Sequence, residues 1–165
     1  MNVERVKPTD RGRVEACARM MAASEPWVTL QRSFEASVRT LGDSGKELYA
    51  VSDGEGIEGF VLLDMRGPLA GYLQSICVRP DRRSRGLGTA LIRWVEDRVF
   101  RESPNVFLCV SSLNDRARRL YERLGYEVVG ELPAFIVRGH DEVLYRRTRG
   151  PWAEFGVSQV ERGDT

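Results

Sequence analysis

At 165 residues the chain is long enough for one domain whose core needs no disulfides, and a formal charge of +1 (25 Lys and Arg, 24 Asp and Glu) excludes any overall attraction to nucleic acid or an anionic membrane. Cys17, Cys77 and Cys109 are odd in number, sit in apolar surroundings and lack the paired spacing of a zinc site, so they read as reduced core residues and no metal is implied. The N-terminal "MNVERVKPTDRGR" has no apolar signal-peptide core and no run of 18 apolar residues occurs, so a soluble, cytoplasmic protein is expected.

Residues 2–7 alternate apolar and polar and stop at Pro8, which predicts a short strand. Thr9 or Asp10 can cap a helix carrying Val14, Cys17 and Met20/Met21, ended by Glu25-Pro26. Val28, Leu30, Phe34, Val38 and Leu41 recur at roughly helical spacing and predict a second helix up to Gly42. "KELYAVSD" and "GIEGFVLLDMRG" read as an antiparallel hairpin around the turn "SDGEG". "GYLQSICV" is a further strand, closed by Arg79-Pro80, and a helix with Leu87, Leu91, Trp94/Val95 and Val99 on one side follows. "NVFLCV" is apolar at nearly every position, as in a strand covered on both faces, and leads to a helix from Asn114 to Leu124, stopped by Gly125. "YEVVGEL" and "DEVLYRRT" are the last two strands, with "PAFIVRGH" as their connection. The fold class is therefore α/β: a mixed, mostly antiparallel sheet of about seven strands with about four helices on both faces, in which only the step from Gly71 to Val110 must be a parallel crossover. Residues 1–148 form one domain, and the tail 149–165 is expected to pack loosely or to meet a second subunit through Trp152 and Phe155.

One loop departs from the neutral background. Arg82, Arg83 and Arg85, with Gly86 and Gly88, lie directly before the helix that starts near Leu87. Glycine lets backbone approach a ligand, and the N–H groups of a first helical turn, with the positive end of the helix dipole behind them, suit an anion. The spacing is not G-x-x-x-x-G-K-[ST], which sets a triphosphate loop aside, and arginines confined to one turn of chain do not make a nucleic-acid face. A pyrophosphate remains, against the plainer reading of solvated arginines around a shaped turn.

"R-S-R-G-L-G" from Arg83 to Gly88 resembles the R/Q-x-x-G-x-G/A signature of the GNAT acetyltransferase superfamily, and "NDRARRLYERLGYEVVG" from Asn114 resembles its second landmark, N-x-x-A-x-x-L-Y-x-x-x-G-F/Y. Both occur in the family's order, and the resemblance covers about residues 3–148; "EPWVTLQRSF" is loosely similar to a segment of the ribosomal-protein N-terminal acetyltransferases. The resemblance implies acetyl-CoA as cosubstrate. Its pantetheine arm would meet backbone groups of Ile76, Cys77 and Val78, and its pyrophosphate would lie on Arg83, Ser84, Arg85, Gly86, Leu87, Gly88 and Thr89, with Asn114 beside the pantetheine and Tyr121 near the sulfur.

Acetyl transfer then needs a neutral amine, a donor at the carbonyl and a proton for the thiolate. Tyr121 suits the last role and the backbone N–H of Val78 the second; on composition alone Tyr121 equally suits a core stripe. The base is open. Where the resembling N-terminal acetyltransferases carry a strand glutamate, this chain has Cys109, and Gln74 stands at another family glutamate position. Glu25 and His140 are the candidates, with Asp141 or Glu142 beside them, each with an ordinary structural alternative. A weak base favours a low-pKa amine, since at pH 7.4 deprotonating a lysine costs about 3 kcal/mol more than an α-amine. The expected acceptor is a peptide N-terminus or a small amine, bound near Trp27, Phe135 and Ile136, although Trp27 also suits the core. A non-catalytic acetyl-CoA sensor is the other class; no nucleic-acid partner is expected, and the chain would be a monomer or homodimer.

Overall fold

The computed structural model describes residues 1–156. The elements run β1 (Val3–Val6), α1 (Arg11–Ala22), α2 (Phe34–Leu41), β2 (Glu47–Asp53), β3 (Gly56–Asp64), β4 (Tyr72–Val78), α3 (Leu87–Val99), β5 (Asn105–Ser111), α4 (Asp115–Arg123), β6 (Glu127–Val137) and β7 (His140–Thr148). They form one seven-stranded sheet in the order β1-β2-β3-β4-β5-β7-β6, antiparallel except between β4 and β5. The expected mixed sheet and its single parallel crossover are therefore present.

Period-two alternation divides the strands between two cores. Leu48, Ala50, Phe60, Leu62 and Cys77 pack with Val14, Cys17, Met21 and Leu41 of α1 and α2. Val61, Leu63, Leu73, Val106, Leu108, Val110, Val143 and Tyr145 pack on the other face with Leu91, Val95 and Val99 of α3 and Tyr121 of α4. Three helices start on side-chain caps: Asp10, Ser33 and Asn114 accept from the N–H of Arg13, Ala36 and Ala117 at 3.2, 3.1 and 3.1 Å. Each such cap is worth about 1 kcal/mol.

Gly71 starts the parallel pairing. It has φ +98°, and a Cβ there would lie 2.2 Å from the Asn105 carbonyl oxygen, so only glycine lets β4 come this close to β5. Its carbonyl accepts from Phe107 N–H at 3.0 Å.

Two expectations are corrected. The second helix begins at Phe34, not near Val28, because Ser33 caps it and Gln31 takes φ +52°; residues 25–31 form turns instead. "PAFIV" is not a connection but the end of β6, paired to β7 across a bulge between Leu132 and Val137, with the turn at Arg138-Gly139. In the tail, Trp152 and Phe155 stack on each other with centroids 5.7 Å apart, and residues 157–165 lie outside the described residues.

Candidate functional site

The parallel pairing that Gly71 starts is short. β4 meets β5 only at Tyr72↔Phe107 and Leu73↔Leu108, while β3 continues alongside β4 to Gly59↔Val78. Beyond Leu73 the two strands part. A register shift at Gln74 and the arrest of pairing leave a gap between β4 and β5 at their C-terminal ends. Arg79 N–H donates to Glu58 O at 2.8 Å. Counting back by twos turns the backbone groups of Cys77 and Ser75 to β3 and those of Ile76 and Val78 into the gap. Cys77 therefore offers nothing to a ligand: its backbone belongs to Phe60 of β3, and its thiol is buried against Ser24. Ile76 and Val78 face the gap rather than β3.

The gap leads to the start of α3. Gly86 caps that helix with φ +86°, a left-handed position that glycine enters without steric cost, and nothing lies within 4 Å of a Cβ built there. Its carbonyl accepts from Ala90 N–H at 2.9 Å, so the N–H groups of Leu87, Gly88 and Thr89 begin the helix without intrahelical acceptors. This is a backbone cradle for an anion. The arginines around it differ in role. Arg82 bonds Asp53 at 2.6 Å and Glu58 at 3.1 Å, and Arg79 bonds Asp53 at 3.1 Å and Asp81 at 2.8 Å. The Glu55 N–H and these two guanidinium groups hold the Asp53 carboxyl down at about 2. Arg83 is a strut: it donates to Val78 O at 3.0 Å and to Ser24 Oγ at 3.1 Å. Ser84 is tied to α4 by Arg116 at 2.8 Å, and Arg85 is left exposed.

Two cavities meet at the gap. The larger, about 840 Å³, is walled by Trp27, Leu30 and Arg32, by Tyr72, Gln74 and Ser75 of β4, and by Cys109, Phe135, Ile136 and Leu144. The smaller, about 190 Å³, shares Trp27, Leu30, Tyr72, Gln74, Ser75, Cys109 and Ile136 with it and adds Asn114, Tyr121 and Glu142. The apolar Leu30 thus serves a wall rather than a helix, Val28 is exposed, and Trp27 both lines the cavities and packs on the α1/α2 core.

The titratable groups of the smaller cavity reach it from both faces of the sheet. Val143 and Tyr145 belong to the α3/α4 core, so alternation puts Glu142 and Leu144 of β7 on the opposite face, with Cys109 of β5. Glu142 is only 4% exposed, and its carboxylate has no hydrogen-bond partner among the described residues. Burial raises its proton affinity above the ordinary carboxylate range, opposed by the charge of His140. Tyr72 and Cys109 lie together in both cavity walls, and burial raises both, with the Glu142 charge adding to the shift. Tyr121 comes from α4 on the other face. Its ring packs edge-on against Tyr126 at 5.5 Å, its hydroxyl has no partner among the described residues, and burial raises it. Asn114 accepts from Ala117 through Oδ1, which leaves its NH₂ toward the cavity it lines.

Of the two named base candidates, Glu25 lies in the wall of the smaller cavity but is exposed and accepts from Thr29 N–H at 3.2 Å. His140 opens β7 at the hairpin turn and lines neither cavity. Tyr72 and Arg32 were not singled out in the sequence, where no motif marks them. Glu142 stood only as one of several acids, and the β5–β7 register Ser111↔Glu142 distinguishes it.

Residues 15–126 match the model of the acetyltransferase (GNAT) family. An uncharacterized N-acetyltransferase of Methanocaldococcus jannaschii is 34% identical over 76 residues, 45% of this chain and 49% of that protein, so the chain spans about half the length of the curated relative it matches. An aminoglycoside 6'-N-acetyltransferase solved with coenzyme A shares the fold at TM-score 0.69 and 16% identity, over 92% of this chain and 98% of its own. The ribosomal-protein-S18-alanine N-acetyltransferase of Escherichia coli does so at TM-score 0.67 and 20% identity, over 91% of this chain and 94% of its own.

Proposed function

Because the chain belongs to the acetyltransferase (GNAT) family, we propose that it moves the acetyl group of acetyl-CoA to a primary amine by direct attack. One observation carries this: Glu142 and Tyr121, from opposite faces of the sheet, line one cavity at the place where β4 and β5 part. Acetyl-CoA, when bound, supplies an acetyl group activated as a thioester. The residues present fit it. Ile76 and the N–H of Val78 offer unpaired backbone groups to an extended amide-containing arm, and Gly86 with the N–H groups of Leu87, Gly88 and Thr89 offers a cradle for pyrophosphate.

Each remaining requirement falls to a residue. Val78 N–H donates a hydrogen bond to a carbonyl oxygen in the gap, and Arg83, clamped on the Val78 carbonyl, holds that peptide in place. Glu142, rather than Glu25 or His140, accepts the proton of the attacking amine. Its burial raises its proton affinity, and its carboxylate is not committed to a protein donor. Tyr121 keeps its proton at Oη, because burial disfavours the phenolate, and shares it with the departing thiolate. Amine and leaving group are thereby served from opposite sides of the sheet.

The finer reading is an α-amine acceptor, a peptide N-terminus or a small amino compound. With one carboxylate as base, an α-amine needs about 3 kcal/mol less than a lysine to become neutral at pH 7.4. The test is release of free thiol from acetyl-CoA in the presence of a panel of amines, with acetyl-CoA binding measured alongside. Thiol release that depends on an amine, faster with α-amines than with lysine side chains, is expected. Binding of acetyl-CoA without release for any amine would mean a non-catalytic sensor.

A further inference from the structure

The larger cavity carries an uneven set of charges. Its wall is mainly apolar, and Leu69, Phe135 and Ile136 at the mouth are 45, 57 and 51% exposed. Asp64, the one carboxylate in that wall, is already bonded by its neighbour Arg66 at 3.3 Å. Arg32 is different. It is half-buried in the loop before α2, its one hydrogen bond goes to the Thr40 hydroxyl, its buried Nε has no partner, and among the described residues no carboxylate lies within 4 Å of it. A buried cation without a counter-charge is costly, and burial together with nearby Arg39 disfavours its charged form. Glu142 lines only the smaller cavity and Arg32 only the larger, so the joined space has a negative inner end and a positive outer wall.

Resting on the acetyl-transfer reading above, we infer that the acceptor is a primary amine on an apolar body with one anionic group, its amine turned to Glu142 and its anion on Arg32. A polycation does not fit. Once one ammonium of a polyamine or an aminoglycoside has met Glu142, those that reach the larger wall face leucine, phenylalanine, isoleucine and two arginines with no free carboxylate among them, and Glu25 of the smaller cavity is exposed and takes the Thr29 N–H. An uncharged apolar amine fits the walls but leaves Arg32 unpaired. An anion supplies the missing counter-charge to the guanidinium that lines the cavity. The Arg32 guanidinium also suits a planar carboxylate, which it can bind through two parallel N–H groups.

The experiment reads kcat/KM from thiol release at saturating acetyl-CoA for matched acceptors: the dipeptide Phe-Leu against Phe-Leu amide, and 6-aminohexanoate against hexylamine. Spermidine and kanamycin serve as polycations. In each pair the carboxylate member is expected to exceed its uncharged partner by roughly tenfold, the effect of one charge-assisted bond. Arg32→Gln should bring that ratio close to one, and Arg32→Lys should restore part of it, with acetyl-CoA titration of each variant showing that it is folded. A polycation faster than both carboxylates, or a ratio unchanged in Arg32→Gln, overturns the inference and leaves acetyl transfer standing. A mouth covered instead by a second copy, seen as a dimer that Phe135→Asp dissociates without any dependence of rate on acceptor charge, overturns it as well. Acetyl-CoA binding with no amine accepted overturns both readings.

Discussion

The anion cradle proposed for the cofactor is contiguous in the chain, from Gly86 to Thr89, and is made mostly of backbone. The acceptor half draws Arg32, Tyr72, Cys109, Ile136 and Glu142 from distant segments and is made of side chains. The difference is physical. A cradle of N–H groups needs one conformation over a few residues, and Gly86 at φ +86° leaves that requirement as a visible spacing. A cavity needs correct strand register, and no local spacing records register across 30 residues.

Exchanging a group in each half sharpens the contrast. The largest effect is expected for Glu142→Gln, which should lower kcat by about 10²- to 10⁴-fold, the range of a lost general base. Stability should move the other way. Burial raises the Glu142 proton affinity in the folded chain above its unfolded value, so its neutral form is the stabilising one, and that contribution is present below the unfolded pKa and lost as pH rises through the folded one. Glutamine stays neutral, so the melting temperature at pH 8 should be unchanged or higher. A large fall in Tm with little change in kcat would make Glu142 structural. In the parent, kcat/KM should fall as acid protonates Glu142, at a pH above the ordinary glutamate range; His140 is the titratable neighbour whose charge opposes the shift, and the Glu142 charge in turn raises Cys109 and Tyr72.

Tyr121→Phe should have the next largest effect, about 10- to 100-fold on kcat, less than the base because a thiol near pKa 8.5 is a tolerable leaving group unaided. Its Tm should hold, since the hydroxyl bonds no protein group among the described residues and the ring packing against Tyr126 is kept. An unchanged kcat would return Tyr121 to the core stripe. The smallest effect belongs to Arg82→Ala. Although it sits in the arginine–glycine loop, its guanidinium is spent on Asp53 and Glu58, so the acetyl-CoA dissociation constant should change by less than about threefold. A loss of tenfold or more would put Arg82 on the cofactor.

Much of the fold was legible because it rests on periodicity. The alternation of Leu48, Tyr49, Ala50 and Val51 gives two faces, and the stripe Leu91, Val95 and Val99 gives the helix that covers one of them. The second helix was overextended because Leu30, which serves the cavity wall, and the exposed Val28 carry an apolar spacing that periodicity does not separate from a core face. "PAFIV" looked like a connection because Pro133 interrupts it, yet a bulge lets β6 continue past that residue. In the site, the glycines, Asn114 and Tyr121 were readable from spacing and resemblance. The separate fates of Arg79, Arg82 and Arg83 were not, because each depends on a partner 20 or more residues away, Asp53, Glu58 or Ser24. Glu142 needed the pairing of β5 with β7 before it could be told from Glu25 and His140.

The most direct test is calorimetric titration of acetyl-CoA into the parent and into Gly86→Asp/Gly88→Asp, which sets two carboxylates in the cradle. A Cβ at Gly88 comes no nearer than 3.9 Å to Val78, and one at Gly86 meets nothing within 4 Å, so the side chains have room; the left-handed φ of +86° at Gly86 costs an aspartate about 1 kcal/mol of backbone strain, and Gly88→Asp alone is the unstrained companion. Saturable binding to the parent, with none to a variant that melts as a folded protein, is the result expected. Equal binding by both would place the cofactor elsewhere and leave the gap between β4 and β5 without its assigned role.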